Sequence, residues 1–236
     1  MSLILAEIDI LSPPECEAIC TTIHKHRNLW IPRKGALPFY TLGAASYLDG
    51  SRVFPENYTQ LALRNNRILA ADFQWLHQRV CGALEQWLNE NVNLLPRLAL
   101  PGFHIFQAHE AFAQENAASA HWDLQFRQIE WLLEEEPDFQ QPLSFTLAIR
   151  LPQAGAGLNL WDLAHQDAGM LPEAAREEKR RELPKTYVPY CAGRMLVHSG
   201  LYLHQIAPMT GATAGEERIT YQGHALRCAG VWRLYW

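Results

Sequence analysis

His121-Trp122-Asp123 places an imidazole and a carboxylate two positions apart. On a β-strand, residues i and i+2 share a face. Both donors can therefore meet one cation while Trp122 turns the other way, into a core. A second imidazole has to come from elsewhere, and His204 in the segment from Val197 to Pro208 supplies it. Two imidazoles and one carboxylate on one face of an octahedral cation leave three positions open. That arrangement suits Fe(II) oxygen chemistry, with two positions for a chelating cosubstrate and one for O₂. A His-x-Asp triplet also arises by chance, and a strand histidine is most often a satisfied structural residue. The triplet needs support from the rest of the chain.

Arg218 stands fourteen residues beyond His204, and Thr220 follows at i+2 on the same strand face. An arginine with a neighbouring hydroxyl binds a carboxylate by charge-assisted hydrogen bonds. The plainer alternatives are an ion pair of Arg218 with Glu216 or Glu217, and ordinary strand propensity for Thr220. Taken in order, His121-x-Asp123, His204 and Arg218-x-Thr220 resemble the Fe(II)/2-oxoglutarate-dependent dioxygenases, in particular their prolyl-4-hydroxylase-like branch. Gly193-Arg194-Met195-Leu196-Val197 runs into Ser199 and then His204-Gln205-Ile206-Ala207-Pro208. This is similar to the family's glycine–apolar strand, turn and His-x-x-x-Pro. The likeness covers residues 100–236, and the opening helix resembles the branch more loosely.

The resemblance implies a double-stranded β-helix, a jelly-roll core with N-terminal helices packed on one sheet. It implies Fe(II) held by His121, Asp123 and His204, and 2-oxoglutarate as cosubstrate with its outer carboxylate on Arg218 and Thr220. The implied reaction uses O₂, turns 2-oxoglutarate into succinate and hydroxylates an unactivated C–H of a small-molecule or peptidyl substrate. Halogenation is disfavoured, because Asp123 occupies the place a halide would need. The rival classes are a catalytically silent jelly-roll binding module and a cupin-type metalloprotein. The former would be expected to have lost a ligand or the arginine, and the latter has no use for Arg218.

Other residues compete for these roles. His198 rivals His204, which is preferred for the Ser199-Gly200 turn before it and the Pro208 offset after it. Arg194 and Arg227 rival Arg218. His104, His109 and His224 lack a triplet partner and read as structural. Gln125 shares the expected strand face of His121 and Asp123, where it either hydrogen-bonds a bound cofactor or is a plain polar residue. Asn159 and Trp161 either line the pocket or belong to the core. Tyr40 and Tyr47 are candidates for the inner carboxylate only because they lie on an early strand.

The elements that must position these groups follow from periodicity. Ser12-Pro13-Pro14-Glu15 is a helix start with a capping box, and Cys16, Ile19, Cys20 and Ile23 then repeat at helical spacing. This stripe assigns Cys16 and Cys20 to a core rather than to a metal. Phe39–Leu48 reads as a strand interrupted by glycine. A second helix is expected over 66–91, with Leu69, Phe73, Leu76, Val80, Ala83 and Trp87 on one face. Past Pro101 the pattern becomes short strands: 102–107, 120–128, 143–151, 157–162, 187–197, 203–207, 218–227 and 231–236. Gly155-Ala156-Gly157 and Cys228-Ala229-Gly230 serve as hairpin links. The charged run 172–183 reads as an inserted helix, and 33–50 and 164–186 as lids over the barrel mouth. The expected class is mainly β (α+β), a single domain over 1–236 with a helical flank over 1–100 and a jelly-roll core over 101–236.

At 236 residues, 48% hydrophobic and 19% charged, the chain has the composition of a soluble globular protein. A formal charge of −5 and the absence of a basic block argue against a nucleic-acid partner. No run approaches the roughly 20 apolar residues of a membrane span, and the N-terminus lacks the features of a signal peptide. Five scattered cysteines fit reduced thiols in a cytoplasmic protein.

Overall fold

A computed structural model describes residues 3–35, 37–50, 55–115, 117–129, 131 and 137–236. Of the sequence readings, Met1 and Ser2 at the N-terminus and position 36 in the segment 33–50 lie outside these. The strands are β1 (Ile4–Asp9), β2 (Ile31–Lys34), β3 (Leu37–Leu42), β4 (Val92–Leu94), β5 (Gly102–Gln107), β6 (Asp138–Arg150), β7 (Leu158–Ala164), β8 (Thr186–Val188), β9 (Arg194–His198), β10 (Tyr202–Ile206), β11 (Glu217–Cys228) and β12 (Val231–Tyr235). The helices are α1 (Pro13–Lys25), α2 (Ser46–Asp49), α3 (Pro55–Leu88), α4 (His165–Ala168) and α5 (Glu173–Glu182).

Nine strands form the major sheet in the order β1-β9-β6-β11-β5-β3-β2, with β12 pairing β11 and β4. A minor sheet, β10-β7-β8, completes the jelly roll. The long strand β11 is central, flanked by β6 on one side and by β5 and then β12 on the other. Strand alternation gives the major sheet two unlike faces. Phe103, Ile105, Phe145, Leu147, Val197, Ile219 and Tyr221 point to one side and pack with α1 and α3. Their alternates His104, Phe106, Ser144, Thr146, His198, Gln222 and His224 line a cavity on the other.

Helix α1 begins as its capping box requires: the Glu15 carboxylate accepts the Ser12 backbone N–H and hydroxyl, both at 2.8 Å. The backbone bond first, then a hydrogen bond from Arg79 and the Ser12 hydroxyl, bring the Glu15 carboxyl down to about 2. Cys16, Ile19, Cys20 and Ile23 are buried as the spacing predicts, and the described residues contain no disulfide. In α3, Leu69, Phe73, Leu76 and Val80 are buried. Leu84, not Trp87, continues the stripe, and Trp87 stays exposed at 37%. No helix of the described residues is long and apolar enough to cross a membrane.

Four expectations are corrected. Segment 1–100 is not only a helical flank, because it contributes β1 to β4 to the major sheet. Segment 39–48 is a strand only to Leu42 and then turns into α2. The expected strand 187–197 is two strands, since β8 belongs to the minor sheet and β9 to the major one. For the same reason Gly155-Ala156-Gly157 is a crossover between sheets and not a hairpin link. Cys228-Ala229-Gly230 does close the β11–β12 hairpin, with Ala229 and Gly230 both at positive φ.

Gly102 begins β5 where its backbone meets Trp236. A Cβ there would collide with the indole and lie 2.7 Å from the Leu42 carbonyl oxygen. Gly82, on α3, has open space around it. Gly102→Ala is expected to destabilise the protein by about 1–3 kcal/mol through overpacking, whereas Gly82→Ala should stabilise it by roughly 0.5–1 kcal/mol. Denaturant midpoints measured for both variants check this, and equal midpoints would contradict the packing assigned to Trp236.

Candidate metal centre and cavity

His121 and His204 exchange two backbone hydrogen bonds, at 2.9 and 3.0 Å, as an isolated antiparallel bridge. Two residues on, Asp123 N–H donates to the Gly200 carbonyl at 2.8 Å. One anchor lies in β10 and the other in the turn just before it, so the three side chains converge. The expected strand 120–128 is therefore reduced to this single bridge. After it the chain turns, and Gln125–Gln128 forms a 3₁₀ turn. Gly200 occupies the tight point: its φ is +73°, and a Cβ would lie 2.7 Å from Ser144 Oγ and 2.9 Å from Asp123 Cβ.

The donor atoms of His121, Asp123 and His204 all lie within 4.8 Å of one another. Asp123 Oδ2 is 3.3 Å from His204 Nε2, and Oδ1 is 3.7 Å from His121 Nε2. Each imidazole is oriented by its other nitrogen: His121 Nδ1 meets the Ser119 carbonyl at 2.9 Å and His204 Nδ1 the Tyr202 carbonyl at 2.8 Å. Those carbonyls only accept, so Nδ1 carries hydrogen and Nε2 faces the shared point. Ser144 Oγ holds Asp123 Oδ2 at 2.7 Å. The chain before Ser119 is held by Gln205, whose Nε2 donates to the carbonyls of Glu115 at 2.8 Å and Ala118 at 2.6 Å.

Electrostatics fit the donor set. Burial would raise the Asp123 carboxyl, but the charge and hydrogen bond of His204, then His224 and His121, hold it well below the carboxylate range. Burial disfavours protonation of His204, yet Asp123 outweighs it and raises the pKa. Burial, and then the charge of His204, push His121 down. Without a cation, Asp123 thus favours the protonated form of His204.

The cavity beside the trio has a volume of about 270 Å³. Arg218 does not line it but lines an adjoining narrow pocket, which shares Phe106, Phe112 and Ile206 with the cavity wall. The guanidinium is fully buried. Its Nε donates to the Ala156 carbonyl at 3.1 Å, while both terminal nitrogens lack a hydrogen-bond partner of good geometry. It stacks 5.4 Å from the Phe106 ring and 5.5 Å from the Tyr190 ring. Burial lowers its pKa, and Tyr190 opposes that. Thr220 shares the face of Arg218 on β11, is fully buried, and accepts Gln222 Nε2 at 3.3 Å.

The rival residues are separated by the fold. Arg227 pairs with Glu90, and Arg194 with Asp9 and Glu7, all at the surface. His198 is in the cavity wall, but its Nδ1 accepts the Gly200 N–H at 3.1 Å and so braces the turn; burial, first of all, pushes it to about 3. Gln125 is buried in its 3₁₀ turn and is not part of the cavity wall, because the chain has left the extended path that would have aligned it with Asp123. Tyr40 packs on Trp30 on the helix side, whereas Tyr47 faces the cavity and meets His104 Nε2 at 2.6 Å. Trp161 is core, under Arg180, and Asn159 reaches Gln205 at 3.5 Å. His109 caps a 3₁₀ turn.

His104 and His224, read from sequence as structural, both line the cavity, as do Ser144 and Tyr190, which belong to no sequence motif. Only the register reveals them: Ser144 pairs with His224 on one side and His198 on the other. Segment 33–50 contributes Arg33, Tyr47 and Leu48 to the wall, while α5 borders a separate cleft that meets the cavity at Ala118 and Ser119.

No family model matches the chain, and no curated protein matches it in sequence. Solved structures match it in shape. An N-substituted L-amino acid dioxygenase from Burkholderia ambifaria AMMD, in complex with α-ketoglutarate (2-oxoglutarate), superposes with a TM-score of 0.60 at 16% identity, over 97% of this chain and 85% of that one. The non-heme α-ketoglutarate-dependent epimerase SnoN from nogalamycin biosynthesis superposes with a TM-score of 0.50 at 14% identity, over 94% and 79%. At such identities the likeness is one of fold: the chain shares the architecture of these two structures.

A divalent cation that takes His204 as a ligand must displace its proton. Mn(II) affinity is therefore expected to rise with pH and to level off above the raised pKa of His204. Ser144→Ala should weaken binding by about 10–100-fold, because Asp123 loses its anchor. Competition titrations against a chelating dye over a pH series measure both, and a pH-independent affinity would rule out His204 as a ligand.

Proposed function

We propose that this protein is an Fe(II)- and 2-oxoglutarate-dependent oxygenase that hydroxylates an unactivated C–H of a small-molecule or peptidyl substrate. The observation that carries this reading is Arg218, a fully buried cation with no ion pair among the described residues and two terminal nitrogens without a hydrogen-bond partner of good geometry, in a narrow pocket adjoining the cavity that His121, Asp123 and His204 line. A buried guanidinium in that state is strongly disfavoured unless an anion completes it. A dicarboxylate reaching from the cation to Arg218 would supply that anion. The fold shared with an α-ketoglutarate complex supports the same choice of ligand.

His121, Asp123 and His204 would hold Fe(II), through Nε2 of each imidazole and one carboxylate oxygen. When bound, the iron supplies the redox chemistry that couples O₂ and 2-oxoglutarate decarboxylation to C–H oxidation. The chain's own part is positional. Ser144, Ser119 and Tyr202 fix the three donors, and Arg218, with Thr220 beside it, takes the outer carboxylate. Phe106, Phe112 and Ile206 keep water from that end. Asp123 fills the position a halide would need, so hydroxylation is favoured over halogenation. The reading takes residues 1–236 as one domain, since β1 pairs with β9 and β3 with β5 across most of the chain.

Hydrogen bonds to charged groups contribute about 1.5–3 kcal/mol each, and roughly 1.4 kcal/mol is tenfold in affinity. Arg218→Ala is expected to raise the apparent constant for 2-oxoglutarate by roughly tenfold or more, with Mn(II) affinity unchanged. Unaltered 2-oxoglutarate binding in this variant would remove Arg218 from the site. With Fe(II), ascorbate and 2-oxoglutarate, the wild type should form succinate in air and none under argon, and His204→Ala should form none in either. Succinate produced equally without O₂, or by the His204 variant, would refute the oxygenase reading.

A further inference from the structure

Ser144 has one hydroxyl proton and two neighbours that compete for it. Its Oγ lies 2.7 Å from Asp123 Oδ2 and 3.0 Å from His224 Nδ1. An ionised carboxylate only accepts and is the stronger acceptor of the two, so the proton points to Asp123. Toward His224 the hydroxyl oxygen then presents lone pairs alone, and Nδ1 must donate. A neutral ring with hydrogen on Nδ1 has a bare lone pair on Nε2. No protein group satisfies it: His224 makes no other hydrogen bond among the described residues, while its side chain forms part of the cavity wall.

The rest of that wall says what would meet the lone pair. Tyr47 stands edge-on to the His224 ring at 6.1 Å. Phe39, Phe106, Phe112 and Leu48 give the cavity an aromatic, apolar lining. Arg33 offers no free charge to an anion, because Asp49 binds its two terminal nitrogens and Thr41 takes Nε at 2.8 Å. A carboxylate or carbonyl oxygen placed at Nε2 would set lone pair against lone pair, with Asp123 Oδ2 only 4.0 Å from the same ring.

Building on the oxygenase reading, we infer that His224 Nε2 is the acceptor that positions the substrate. The substrate is a small molecule with a flat apolar body that presents an N–H or O–H donor at this point. About 270 Å³ must hold the cosubstrate as well, which keeps that body small.

The test uses the full-length protein labelled with ¹⁵N-histidine, with and without Zn(II), under argon. Imidazole ¹⁵N spectra separate protonated from bare ring nitrogens, and the signal missing in His224→Gln assigns the residue. The expected result is Nδ1–H with Nε2 bare. Phenol, a flat ring with one donor, should shift the Nε2 signal toward that of a hydrogen-bonded acceptor, while anisole and benzoate leave it in place. Hydrogen on Nε2, or a phenol shift no larger than that with anisole, overturns the inference. These readouts need neither iron nor O₂. Succinate formation with hydrogen on Nε2 would sink the inference and spare the oxygenase reading. A bare Nε2 that answers phenol in a protein that never forms succinate would do the reverse.

Discussion

Asp123 is nearly buried yet ionised, and a carboxylate in that position is tolerated only where donors and opposite charge enclose it. Its surroundings are drawn from distant parts of the chain. Ser144 comes from β6, His204 from β10, His224 from β11 and Gly200 from the turn before β10. Each of these elements has to be in register for the carboxylate to be satisfied. The same contacts bring His121 to His204 across one backbone bridge. Folding the jelly roll and assembling the three-donor face are in this sense a single event.

The unlike faces of the major sheet explain how one scaffold carries both a core and a site. Each strand gives alternate residues to the helix side and the cavity side. Ile219 and Tyr221 lie under α1 and α3, while Arg218, Thr220, Gln222 and His224 point to the opposite side, where Gln222 and His224 line the cavity. A slip of one residue in β11 would exchange these sets, burying four polar groups among aliphatic side chains. The helix-side core, dense in Phe, Ile and Leu, holds the register against that slip.

Arg218 is the second charge the fold must accommodate. Phe106 and Tyr190 cover its faces, and a single backbone carbonyl takes Nε. Aromatic faces suit a guanidinium, which is weakly hydrated and planar, but they leave its two terminal nitrogens unanswered. Asp123 and Arg218 are thus opposite charges in two adjoining pockets that share Phe106, Phe112 and Ile206.

The sequence by itself determined the pieces whose signal is local. The Ser12–Glu15 capping box, the α1 stripe, β5, the charged helix α5 and the β11–β12 turn all follow from spacing that neighbouring residues enforce. The order His121-x-Asp123, His204, Arg218-x-Thr220 was legible because motif offsets survive in a one-dimensional string. What depends on pairing between distant strands was not. The placement of Gln125 was misread because the bridge at His121 ends a strand that periodicity would continue. His104, His224 and Ser144 look like ordinary strand residues until β5, β6 and β11 are laid side by side. Of the N-terminal strands β3 was read in part, as 39–48, while β1, β2 and β4 were hidden for the same reason, since β1 acquires its meaning from β9 far along the chain. Local periodicity shows which way a side chain alternates. Only the closed sheet decides what stands opposite it, because hydrogen-bond register is a property of two segments and not of one.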